Sequence, residues 1–118
     1  MSWDCTLTDA ETGREINLDK PHHITGGTYV LGGTTELTLN VTYNYTQILR
    51  KALGGDGLND LHDKTGREAV IWLIEGAEKL KDEYSEDYWE ATEGNVKTAL
   101  LSLAELSAMA PRGIWKLS

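Results

Sequence analysis

The residues equipped for chemistry are few in this chain: three histidines, His22, His23 and His62, one cysteine, Cys5, and a run of acids and aromatics at Lys81-Asp-Glu-Tyr-Ser-Glu-Asp-Tyr-Trp-Glu90. Histidine is the side chain poised near neutral pH, so any of the three could act as a general base. Adjacent histidines on an extended segment point to opposite faces, so His22 and His23 do not make a metal pair as histidines four apart on a helix would. The loop Asp56-Gly-Leu-Asn-Asp60-Leu-His-Asp63 has the acids of a calcium loop. Leu58 and Leu61 break that register at the third and sixth positions, where an oxygen ligand and a glycine are needed. We expect no metal and no cofactor.

Cys5 alternates with Trp3 and Leu7 and has no base beside it in sequence, which makes it a buried structural thiol. The doubled Gly-Gly-Thr of Gly26-Gly27-Thr28 and Gly32-Gly33-Thr34 lacks the lysine and the following helix of a phosphate loop. It lacks the Rossmann spacing as well. Glycine pairs between strand-like segments supply positive φ for turns, and they would frame a short strand, Thr28 to Leu31. The paired carboxylates of the 81–90 run read as a solvated loop unless they face each other across a cleft. An enzyme with His22, His23 or His62 as base therefore stays an alternative, behind a binding role.

Binding residues are of two kinds. The strand-like segment Glu36 to Tyr45 puts Leu37, Leu39, Val41, Tyr43 and Tyr45 on one face and Asn40, Thr42 and Asn44 on the other, a polar face that is either wet or lines a site. Aromatics with polar tips, Tyr84, Tyr88, Trp89 and Trp115, flank the last helical segment and suit flat, base-like ligands by stacking. They equally suit capping the ends of a helical layer. Thr92-Glu-Gly94-Asn95 offers free amides at that helix start as an anion seat, against which Glu90 and Glu93 work. The candidate ligand residues are Asn40, Thr42, Asn44, Tyr88, Trp89, Asn95 and Trp115.

The elements that position these residues follow from periodicity. Residues 3–8 and 15–18 alternate around the turn Asp9-Ala-Glu-Thr-Gly13 and predict a hairpin. Thr46 to Leu53 predicts a short helix ended by Gly54. A polar loop, 54–65, leads to a capping box, Thr65-Gly-Arg-Glu68, and a helix that runs to about residue 81 or 84. Val96, Ala99, Leu100, Leu103, Leu106, Ser107 and Ala110 recur at three and four behind the N-cap Thr92, with Pro111-Arg-Gly113 as the stop. Strands before helices argue an α+β domain: a small antiparallel sheet of four or five strands in 1–45, covered by one short and two longer helices in 46–118.

The 118 residues are the size of a single domain and are 40% hydrophobic, enough for a core. One cysteine excludes a disulfide framework and agrees with a reduced, cytoplasmic setting. The start of the sequence lacks a signal-peptide pattern, and no apolar run is long enough to span a membrane. A net charge of −8 disfavours direct nucleic-acid binding and fits a soluble protein, or an acidic inhibitor that imitates nucleic acid toward a basic partner.

Five segments together resemble a known group: Gly-Gly-Thr-Tyr, Gly-Gly-Thr-Thr, Leu-Asn-Val-Thr-Tyr-Asn-Tyr, Asp-Tyr-Trp-Glu-Ala-Thr-Glu-Gly-Asn, and Met-Ala-Pro-Arg-Gly-Ile-Trp. They are similar to small uncharacterised proteins encoded by phages and prophages of Gram-positive bacteria, over about Ser2 to Trp115. That resemblance carries no activity or catalytic residue. It implies an accessory protein that binds a host protein or a nucleotide-like small ligand.

Overall fold

A computed structural model describes residues 1–24 and 32–118. The expected strand Thr28 to Leu31 and the first glycine pair lie outside the described residues. Gly32 and Gly33 lie within them and take φ of 82° and 80°, the left-handed geometry expected of turn glycines. A side chain at Gly33 would also put its Cβ 2.6 Å from the His22 carbonyl oxygen.

The α+β class is observed. The strands are β1 (Ser2–Thr8), β2 (Asn17–His22), β3 (Thr34–Glu36), β4 (Thr38–Thr42) and β5 (Ile114–Leu117), and the helices α1 (Thr46–Leu53), α2 (Gly66–Glu78) and α3 (Glu93–Met109). The strands form two antiparallel sheets, one ordered β4-β1-β5 and the other pairing β2 with β3. β1 is therefore central. Its alternation puts Trp3, Cys5 and Leu7 into the core and leaves Asp4 and Thr6 on the open face.

The predicted hairpin forms only at its neck. Asp9 to Arg14 reverses the chain, and the Ile16 amide donates to the Leu7 carbonyl at 3.1 Å. β2 then departs to pair with β3, because both edges of β1 are taken by β4 and β5. The long strand 36–45 also stops early. Leu37, Leu39 and Val41 are buried as the alternation requires, but at Tyr43–Tyr45 the chain coils into a 3-10 turn capped by the Thr42 hydroxyl, which accepts from the Asn44 amide. The change of period buries Tyr45 and leaves Tyr43 exposed.

Helix boundaries follow local chemistry. α1 ends at Gly54, whose φ is 71°. α2 begins with the capping box: the Thr65 hydroxyl accepts from the Glu68 amide while the Glu68 carboxylate accepts from the Thr65 amide. It ends at Glu78, a turn short of the reach expected from the sequence. The stretch 54–65 is not simply a polar loop, since Gly57–Leu61 forms a 3-10 turn whose Leu58 and Leu61 are buried. The same leucines that spoil a calcium loop are core residues.

β5 was not apparent from the sequence. After Pro111-Arg-Gly113 the chain returns to β1, pairing Leu7 with Trp115 and Thr8 with Ile114. Trp115 is fully enclosed; its indole N–H donates to Ser107 Oγ at 2.9 Å, and that hydroxyl donates to the Leu103 carbonyl at 2.7 Å. One hydrophobic cluster runs from Trp3 through Leu39, Leu49, Leu73 and Leu103 to Trp115, so sheet and helices share a core. Gly66 permits the close join: a Cβ there would lie 2.3 Å from the Ala110 carbonyl oxygen. Ser107→Ala leaves the buried indole N–H without its acceptor, and we expect a loss of about 1–3 kcal/mol in urea unfolding. A loss below about 0.5 kcal/mol would show that this bond does not secure the α3–β5 return.

Candidate functional site

The chain between α2 and α3 has no regular structure over 82–92, yet it is closely framed. Asn95, in the first turn of α3 and 8% exposed, is the frame's centre. Its Oδ1 accepts from the Ser85 amide at 3.1 Å, and its Nδ2 donates to the carbonyls of Asp87 and Glu90 at 3.0 and 3.1 Å. One side-chain amide thus replaces the partners that a strand or helix would have given these backbone groups. Gly94 closes the other end of the loop: its amide donates to the Glu83 carbonyl at 3.0 Å, and a Cβ at this position would lie 2.6 Å from that carbonyl.

Two acids clamp the loop's ends. Glu93 accepts from the Lys81 amide and from Lys51 Nζ, both at 3.0 Å, and Asp82 accepts from Lys97 Nζ at 2.8 Å and from the Tyr84 hydroxyl at 3.1 Å. The Lys81 amide, then Lys51, hold the Glu93 carboxyl below its ordinary 4.5. Lys97 and then Tyr84 do the same for Asp82, ordinarily 3.8. Glu83, Glu86, Asp87 and Glu90 have no ion-pair partner among the described residues and form an acidic surface.

Within this frame the aromatics are presented outward. Tyr84, Tyr88 and Trp89 are 59%, 42% and 50% exposed. Tyr88 and Trp89 meet edge to face, with centroids 5.6 Å apart. Asn44 ties this loop to the end of β4, since its Nδ2 donates to the Trp89 carbonyl at 3.0 Å. Tyr43, the preceding residue, is braced edge-on against Trp3, with ring centroids 4.6 Å apart. The structure therefore brings together Asn44, Tyr88, Trp89 and Asn95 of the seven residues singled out from the sequence.

The others lie elsewhere or do other work. Asn40 stands on the open face of the sheet, with its Nδ2 donating to Ser2 Oγ and Asp4 Oδ1 at 2.7 and 2.8 Å. Thr42 is spent as a cap. Trp115 offers no surface to a ligand, because pairing with β1 carries it into the core. The anion seat expected at Thr92–Asn95 does not form: the Gly94 amide is taken by Glu83 and the Asn95 amide by the Thr92 hydroxyl at 3.1 Å.

His22 is buried with both ring nitrogens engaged. Its Nδ1 accepts from the Ile24 amide at 3.1 Å, which leaves the proton on Nε2 to be donated to the Glu36 carbonyl at 2.6 Å. It joins β2 to β3 and has no lone pair for a substrate. His62 likewise accepts the Leu117 amide on Nδ1 at 3.0 Å, and its Nε2 lies 3.6 Å from Asp63 Oδ1, a carboxylate also held by Lys116. His23 is exposed. No metal-binding group of three or more His, Cys, Asp or Glu occurs among the described residues. Burial, and secondarily Asp4, push the Cys5 thiol up to about 12, so it remains protonated and unreactive at neutral pH.

Sequence reasoning missed one feature entirely. Where the Asp9–Arg14 turn meets the α3–β5 turn there is a cavity of about 450 Å³ lined by Asp9, Glu11, Ile16, Pro111 and Arg112 among others, and a neighbouring one of about 390 Å³ shares Pro111 and Arg112 and adds Thr65 and Arg67. The two walls lie a hundred residues apart in the chain, and each reads alone as a turn.

The fold and site define an α+β domain that displays a framed aromatic and acidic loop. No protein-family model, curated protein or solved structure matches the chain. No helix among the described residues is long and apolar enough to cross a membrane.

Asn95→Ala should speed amide exchange of residues 83–92, lowering their local stability by about 1–3 kcal/mol while amides of β1 remain protected. Equal exchange in the variant would show that the loop is ordered by other contacts. The acid clamps add a pH dependence. Because the folded carboxyls of Asp82 and Glu93 lie below their ordinary values, their stabilisation is complete at neutral pH and is lost as pH falls below 4.5 and through the lowered folded values. Protection of the loop amides relative to their intrinsic exchange rates should fall only in that acid range, and Asp82→Asn with Glu93→Gln should flatten the response.

Proposed function

We propose that this chain is a non-enzymatic binding module, of the phage accessory kind that its sequence resembles, and that it docks a host protein through the 82–92 loop. The carrying observation is the pair Tyr88 and Trp89, half exposed yet mounted on backbone held by Asn95 and Asn44. Aromatic side chains on a rigid support are the residues that dominate protein interfaces, since little conformational entropy is lost when they are covered. Asn95 fixes the loop before any partner arrives.

The charge on this surface specifies the partner's chemistry. Glu83, Glu86, Asp87 and Glu90 surround the rings without cationic partners of their own among the described residues. A complementary surface carries Lys and Arg, whose charges pair with the carboxylates and whose guanidinium planes stack on Trp89. This is the chemistry of a nucleic-acid-binding protein face, so the acidic-inhibitor reading and the host-factor reading converge on one loop. A catalytic role is disfavoured by the engagement of both His22 ring nitrogens.

Immobilised protein exposed to host extract at low salt should capture a basic protein that Trp89→Ala or Tyr88→Ala releases, with a loss of at least about 2 kcal/mol in binding and an unchanged urea midpoint. Raising the salt concentration should weaken the wild-type complex through screening. Capture that survives both substitutions would move the partner surface away from this loop.

A further inference from the structure

The groove over the α3–β5 turn shares no lining residue with the 82–92 loop. Its two cavities meet at Pro111 and Arg112 and are open to solvent. The backbone sets the walls. The Arg67 amide donates to the Pro111 carbonyl at 3.0 Å and the Gly66 amide to the Gly113 carbonyl at 2.9 Å, so the start of α2 lies against the turn that carries Arg112. On the opposite side Asp9 Oδ1 accepts the amides of Glu11 and Thr12 at 2.8 and 3.0 Å, which fixes the turn that carries both acids.

Charged side chains of both signs line the groove. Arg67 lines one cavity and Arg112 lines both, and neither has an ion-pair partner among the described residues. Asp9 and Glu11 line the cavity that Arg112 shares, and Ile16, Ala110 and Pro111 supply its apolar floor. The backbone amides at the start of α2 are already spent on the Gly113 and Pro111 carbonyls, and the Thr65 hydroxyl on Glu68, so recognition falls to these side chains.

That arrangement selects a ligand by elimination. A dicarboxylate is repelled by Asp9 and Glu11, a diamine by Arg67 and Arg112, and a purely apolar molecule leaves four charges unused. What fits is a molecule with an anionic group for the arginines and, joined to it, hydrogen-bond donors and a flat apolar part for the cavity of Asp9, Glu11 and Ile16. Two guanidinium forks suit a phosphate, which each can grip in bidentate fashion. Carboxylates suit the neighbouring hydroxyls of a ribose, as the acidic residue of a dinucleotide site does. The Pro111 and Ile16 floor suits the face of a base.

We propose that this groove is a nucleoside phosphate site, with the phosphate on Arg67 and Arg112, the ribose hydroxyls on Asp9 and Glu11, and the base against Ile16 and Pro111. It gives the chain a small-ligand site distinct from its protein-docking loop, and either can fail without the other.

Isothermal titration of the intact chain with AMP, adenosine, inorganic phosphate and the zwitterionic tripeptide Lys-Ala-Glu tests the site. AMP should bind, and adenosine and phosphate should each bind at least about tenfold more weakly, because each retains only part of the contact set. Arg67→Ala with Arg112→Ala should weaken AMP at least about tenfold, and Glu11→Gln should weaken AMP but leave phosphate unchanged. All three side chains are exposed, so the urea midpoints should match wild type, and this control separates lost binding from lost folding. The proposal is overturned if AMP gives no heat at millimolar concentration, if phosphate alone binds as tightly as AMP, if the double arginine variant binds AMP normally, or if the tripeptide binds more tightly than AMP.

Discussion

The return of Ile114–Leu117 to the free edge of β1 is the constraint on which the remaining structure depends. It makes a strand near the start of the chain the centre of a sheet whose two edges are supplied from residues 38–42 and 114–117. Trp115 fills the space between that sheet and α3, and the Ser107 hydroxyl meets its indole N–H where no water reaches. A buried indole without an acceptor is costly, so the hydroxyl fixes which face of α3 turns inward as well as satisfying a donor. The 63–65 segment then pairs along the outer edge of β5, through the Asp63 and Trp115 amides, and the start of α2 follows directly from it.

Polar side chains in this protein mostly serve the backbone. Asn95 satisfies three main-chain groups of an irregular loop, Asn44 a fourth, and His22 bridges β2 and β3 with both ring nitrogens. Such use accounts for the engagement of His22, Asn44 and Asn95 within the fold. An amide side chain that replaces secondary-structure hydrogen bonds lets a loop hold exposed aromatics in one place, a property that binding surfaces share. The cost is sensitivity, because several loop contacts run through one residue.

Local signals were read well where the physics is local. The capping box at Thr65 and Glu68, the N-cap at Thr92, the stop at Gly54 and the burial of Cys5, Leu39 and Val41 depend on neighbours a few residues away. The failures have a common cause in distant partners. Tyr43–Tyr45 continued an alternating pattern but coiled into a 3-10 turn, and Ile114–Leu117 was too short to announce a strand without β1 beside it. Trp115 therefore looked like a surface ring flanking a helix, while Asn95 looked like a ligand residue when its partners were loop carbonyls.

By itself the sequence determined the α+β class, the helix starts, the turn chemistry of Gly32 and Gly33, the buried thiol and the acidic, aromatic character of the 82–92 segment. Periodicity, caps and composition act over one or two turns of chain and need no knowledge of what lies opposite. Tertiary structure alone decided that β1 is central, that Trp115 is core and Trp89 is surface, and that Arg67 and Arg112 share a groove with Asp9 and Glu11. Those outcomes are set by which segments meet across a hundred residues, and pairing at that separation leaves no periodic trace in either segment alone.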